Sequence, residues 1–136
     1  MRLGTQARWR RQRGQSLLET ALMIVIIFTV VTWVFEIGQL MYTYTVLGDA
    51  ANEGVRYAIV NPTNIVSGTT ARVKSFAGTS MHDITAITVT VTAPEGDYNP
   101  PHLVRVKVSY TYVPSLKVFT TPPTLTAYAE GRMVVQ

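Results

Sequence analysis

The sequence predicts an α+β protein: one long amino-terminal helix, with a small antiparallel sheet of about three strands laid across its outer half. Three observations carry this. Residues 20–35 contain no charge, no proline and no glycine. The next stretch, 37–58, repeats apolar or small residues at steps of three and four. After residue 86 the chain alternates Val or Ile with Thr, Arg or Lys in segments bounded by Pro and Gly.

The first element begins with its flank. Arg8, Arg10, Arg11 and Arg13 crowd ahead of Gly14, and Gln15-Ser16-Leu17-Leu18 leads to a single acid, Glu19. The uncharged run from Thr20 to Phe35 then reads as a helix in lipid. At ~1.5 Å per residue it covers about 24 Å, a little short of a ~30 Å hydrocarbon core. Ile37, Leu40 and Met41 extend it past Glu36. The arginines orient the span, because a Lys/Arg excess stays on the cytoplasmic side: residues 1–14 inside, residues from about 42 outside. Five of the twelve basic residues precede Gly14, leaving seven against eight acids, so the formal +4 belongs to the arm and not to the outer domain. Abutting an apolar span, that arm is a topology signal rather than a nucleic-acid contact.

Glu19 lies at the inner edge of the run, where a carboxylate is costly unless it snorkels, is paired or has a function. Were the chain cut after Gly14, Gln15 would become its terminus, with an amine one turn from Glu19. The two charges could then pair between neighbouring subunits shifted by about a turn, offsetting the cost of placing each in an apolar bundle. This arrangement resembles the signal peptide of type IV pilin-like proteins: a basic leader, a scissile bond between Gly14 and Gln15, Glu19 as the fifth residue after it, and an apolar helix that is retained. A secretory signal peptide would instead place a small-residue cleavage site after the apolar run, where Glu36-Ile37-Gly38 lacks that character.

Beyond Glu36 the helix turns amphipathic. Ile37, Leu40, Tyr44, Leu47, Ala51, Gly54 and Ala58 form a heptad-like seam that tapers from large to small, so a second element can approach closely at its far end. Glu53 and Arg56 are i,i+3 neighbours on its polar side. Asn61-Pro62 ends the helix, since the residue before proline leaves the α region. One helix therefore runs from about Gln15 to Val60, with Gly38 and Gly48 its candidate kink points.

In this stretch the residues resemble the TadE-like family, pseudopilins or minor pilins of the tight-adherence (Flp-type) pilus system. An acid and a glycine follow the membrane run (Glu36, Gly38), and Ala50-Ala51-Asn52-Glu53-Gly54-Val55-Arg56-Tyr57-Ala58 matches the family's A-A-x-E-G-A-R-x-A pattern almost position for position, with Val55 in place of its third alanine. The motif positions are thus Glu36, Gly38, Ala50, Ala51, Glu53, Gly54 and Arg56. Gln39 stands where the family has arginine, and Thr20 where an aromatic residue is common.

Thr63 to Gly78 reads as a connection holding a short helix, Thr70 to Ala77, with Val73, Phe76 and Ala77 on one face. Ile87 to Thr92 alternates as a strand. A turn-rich loop, Pro94 to Pro101, leads to a second strand with Val104, Val106, Val108, Tyr110 and Tyr112 on one face, stopped by Pro114. Leu116, Val118 and Phe119 fall in a loop closed by Pro122-Pro123. Leu125 to Val135 is the third strand, and its alanines are small enough to lie against a helix.

No chemistry-bearing constellation emerges. His82 and His102 are the only histidines, and His82-Asp83 lacks further ligands at metal-binding spacing. Ser80 and Ser109 have no nucleophile elbow, the glycines no phosphate-binding pattern. The acids Glu36, Asp49 and Glu53 read as a solvated or intersubunit face, and Tyr42, Tyr44 and Tyr57 as interfacial anchors and packing. Neither enzyme activity, metal nor cofactor is expected, and the absence of cysteine rules out disulfides.

The domains expected are a cleaved leader (1–14), a transmembrane helix (15–41), an extramembrane half-helix (42–60) and a pilin-like α+β domain (61–136). The resemblance implies a single-pass protein of the bacterial inner membrane, amino terminus cytoplasmic and outer domain periplasmic, or incorporated in an extracellular pilus. It also implies a prepilin peptidase, other pilin subunits and, indirectly, an assembly platform and its ATPase as partners. The alternative is an uncleaved, membrane-anchored periplasmic scaffold or accessory protein of the same kind of machine.

Overall fold

The computed structural model describes residues 5–81, 83–114 and 121–133, with 5–13 as backbone only. Helix α1 runs Thr5–Val60, a 3-10 turn spans Pro62–Asn64, and helix α2 spans Ile65–Gly78. Strands β1 (Ile87–Thr92), β2 (Leu103–Thr111) and β3 (Thr124–Arg132) follow. The chain divides into two compact units, Met1–Gly38 and Gln39–Gln136.

α1 begins ten residues before the expected Gln15 and is helical through Gly38 and Gly48. Residues 5–13 are mostly Arg, Gln and Ala, which favour helix, and a lone glycine at 14 costs only ~1 kcal/mol against them. The carboxyl-terminal stop at Asn61-Pro62 is where the sequence puts it. α2 starts five residues earlier than expected, because Ile65 and Thr69 join Val73 and Ala77 as a buried stripe at four-residue steps.

In the unit 39–136 the three strands form an antiparallel meander in the order β1-β2-β3. Register follows the alternation: Val89 faces Val108, and Val106 faces Ala129. A one-residue slip would turn Val104, Val106 and Val108, all fully buried, out to solvent. The core joins them to Leu47, Ala51 and Ala58 of α1 and to Val73 and Ala77 of α2. The small residues of β3 allow close approach: a Cβ on Gly131 would lie 2.4 Å from Val55 Cγ1. The other side of the sheet is polar, with the pairs Arg105–Glu130 and Ser109–Thr126 across β2 and β3. Residues 1–4, His82, residues 115–120 (including Leu116, Val118 and Phe119, expected in a loop) and 134–136 lie outside the described residues.

Candidate membrane helix and helix-docking motif

From Gly14 to Val31 every residue is exposed, including Leu17 (72%) and Phe28 (69%). A helix apolar on all sides with nothing covering it has no stable place in water and suits hydrocarbon. The threonine hydroxyls of its uncharged run are already satisfied. Thr20, Thr29 and Thr32 donate their hydroxyls to the carbonyls of Ser16, Val25 and Phe28 at 2.9, 2.8 and 2.7 Å. Such back-bonding is what a hydroxyl needs where no water can reach it. Among the described residues this is the single helix long and apolar enough to cross a membrane.

Gly14, Gln15 and Glu19 are exposed, and a Cβ on Gly14 would meet nothing within 4 Å. The side chains of Arg8, Arg10, Arg11 and Arg13 fall outside the described residues. Glu36 breaks the pattern of its surroundings: it is 6% exposed, whereas residues 33–35 and 37–39 are all exposed. A carboxylate withdrawn from solvent needs compensation, and Glu36 is engaged by the protein. Gly38 has open space around its Cα.

The motif from Ala50 to Ala58 is organised differently, for packing. Ala50, Ala51 and Ala58 are fully buried. A Cβ on Gly54 would lie 2.5 Å from Val73 Cγ2, 3.2 Å from Val106 Cγ1 and 3.3 Å from Thr69 Cγ2. Glycine is therefore the residue that lets α1, α2 and β2 meet at one point. One turn on, the Tyr57 ring lies over α2 where a Cβ on Gly68 would come within 2.6 Å of it. Beside these contacts Glu53 Oε1 accepts from Arg72 Nη2 at 2.7 Å and Nε at 3.0 Å.

That ion pair corrects one expectation: the partner of Glu53 is Arg72 on α2, not Arg56, which is exposed. The geometry is bidentate in donors, and pairing across two helices fixes their rotation more than an i,i+3 neighbour would. The seam is also shorter than expected. Leu47, Ala51, Gly54 and Ala58 are buried, but Ile37 and Tyr44 are 53% and 52% exposed. The core cluster begins at Leu47, and Leu40 before it is only half-buried.

The loop between β1 and β2 holds the other polar cluster. Asp97 accepts from Asn99 and pairs with His102 Nδ1, while Glu95 accepts from the Leu103 backbone at 3.3 Å. The hydrogen bond from His102, reinforced by Asn99, holds the Asp97 carboxyl below the usual carboxylate range. These contacts tie the loop to the start of β2. Among the described residues no group of three or more His, Asp or Glu is placed to hold a metal ion.

The part of the chain with the exposed span and the packing motif is the part that a known family shares. The TadE-like protein family model matches residues 14–56. This stretch is TadE-like. The match begins at Gly14 and ends at Arg56, taking in the apolar run and most of the docking motif. Proteins of that family are Tad pilus-associated, minor pilin-like proteins of a structural kind. No curated protein and no solved structure matches the chain.

Proposed function

We propose that this protein is a TadE-like pseudopilin or minor pilin that is inserted by α1, freed of residues 1–14 by a prepilin peptidase, and assembled through the freed helix. The observation that carries the reading is the uncovered apolar run of α1, coupled to a family match that starts at Gly14. A helix with no internal partner on any side passes from lipid into a bundle of like helices without exposing apolar surface to water. In that bundle the amine of Gln15 in one subunit and Glu19 in another offset each other's charge. The arginine cluster supports an orientation with residues 1–14 in the cytoplasm and the chain from about residue 42 in the periplasm. The proposed partners are the peptidase, other pilin subunits and, indirectly, an assembly platform with its ATPase.

Gly14 suits its proposed role physically. It has the lowest helix propensity of any residue in 5–20, so the backbone unwinds there most readily for a peptidase. The same helix favours the rival reading in one respect, because α1 continues without a break across the Gly14–Gln15 bond. An uncleaved anchor would keep that continuity. Gly14→Leu separates the two: if the leader is removed, this substitution blocks the loss of mass, whereas an uncleaved anchor shows one mass in both forms.

A further inference from the structure

One side of the outer half of α1 is consumed by the core; the opposite side is not. Tyr42, Thr45, Asp49, Asn52 and Arg56 follow one another at steps of three, four, three and four residues, and all are exposed. That is the spacing of a helix–helix seam. Its charges are opposite and available: among the described residues neither Asp49 nor Arg56 makes an ion pair or hydrogen bond, while Glu53 between them is held by Arg72. Asp49 and Arg56 are one heptad apart, roughly 10.5 Å along the helix.

We propose that this stripe binds a second copy of this chain, parallel and displaced by one heptad, so that Arg56 of one copy meets Asp49 of the next. The inference rests on the reading of the chain as a membrane-anchored subunit, since copies anchored by α1 share one orientation; the copy reached by this shift is a different neighbour from the one whose Gln15 amine would meet Glu19, about one turn away. With the copies in register, Asp49 would face Asp49 and Arg56 would face Arg56, and both contacts repel. A shift of seven residues replaces both repulsions with one attraction. It also sets Asn52 opposite Thr45 and Asp49 opposite Tyr42. The contact is head-to-tail rather than two-fold, so it does not close on itself and can be repeated by each added copy. Charge complementarity within one short stripe is the reason for choosing a second copy over a foreign helix.

The test uses the full chain in cells that make it, and the absence of native cysteine keeps it clean. One copy carries Thr45→Cys and the other Asn52→Cys, with carboxyl-terminal tags of different size, and oxidation is carried out in isolated membranes or fibres. A mixed 45–52 disulfide that exceeds the 45–45 and 52–52 products is expected. Asp49→Arg or Arg56→Asp alone, in both copies, should lower its yield by about fivefold, and the two together should restore it. Dominant 45–45 dimers, adducts only with another protein, no adduct, or charge variants without effect would each overturn the proposal. Sequencing the amino terminus of the same preparation separates the two levels. A chain starting at Gln15 that lacks the 45–52 product loses this inference alone; an unprocessed chain that forms it loses the pilin reading alone.

Discussion

Gly54→Ala is the substitution that interrogates the docking motif most sharply. The added methyl would lie 2.5 Å from Val73 Cγ2 and within 3.3 Å of both Val106 Cγ1 and Thr69 Cγ2. Carbon atoms rest at about 3.5–4.0 Å, so α2 must shift by about 1 Å or Val73 must leave its rotamer. Overpacking of this kind costs about 1–3 kcal/mol. Alanine returns up to ~1 kcal/mol in helix propensity, which on full return leaves a net destabilisation of about 0–2 kcal/mol. In a unit of this size that is a fall in melting temperature of up to roughly 16 °C. Gly48→Ala is the internal control: it is on the same helix, and its Cβ would meet nothing within 4 Å. It should gain up to ~1 kcal/mol. The assay is thermal unfolding of the full chain in detergent, followed by a tertiary signal such as near-ultraviolet circular dichroism. Equal stability of the two variants would refute the idea that the motif glycine exists for close packing.

Other outcomes follow from the same geometry. Glu53→Gln should cost about 0.2–1 kcal/mol, because Arg72 is half exposed and solvent screens the pair; denaturant unfolding reads the loss, and a double-mutant cycle with Arg72→Gln reads the coupling. The Asp97 carboxyl is held below its ordinary value of 3.8, so its contribution to stability is fully present above that pH and is lost as pH falls through the lower folded value. Carboxyl carbon chemical shifts should place its midpoint under 3.8, and His102→Ala should raise it. Glu19→Ala should leave the chain in the membrane fraction while lowering its recovery in assembled material, read by fractionation and blotting; unchanged assembly would remove the proposed charge pairing.

Much of the architecture is legible in the sequence because it is written in period. The alternation of Val with Thr, Arg and Lys in 87–92 and 104–111 leaves one register that buries the valines, and the strands form there. The apolar run 20–35 is visible by composition alone. What period does not reveal is long-range choice. Glu53 has two candidate cations within reach of its chain, Arg56 nearby on α1 and Arg72 on α2, and only the packing of Gly54 on Val73 brings the second close. The start of α2 at Ile65 is hidden by Asn61-Pro62-Thr63-Asn64, which reads as a loop until the buried stripe from Ile65 to Ala77 is seen against the sheet. Leu40 and Tyr44 continue the heptad pattern on paper, but the core cluster starts three residues after Tyr44. The motif glycine carries no chemical signal either, since its reason is the absence of a side chain at a three-element contact.

The proposed subunit role depends most on what happens between Gly14 and Gln15. Protein purified from the native membrane and from any sheared fibre should be sequenced from its amino terminus and weighed intact. A mature chain that begins at Gln15, short by the mass of residues 1–14, is the expected result. A chain that still carries its arginines in an actively assembling cell would contradict the proposed subunit role.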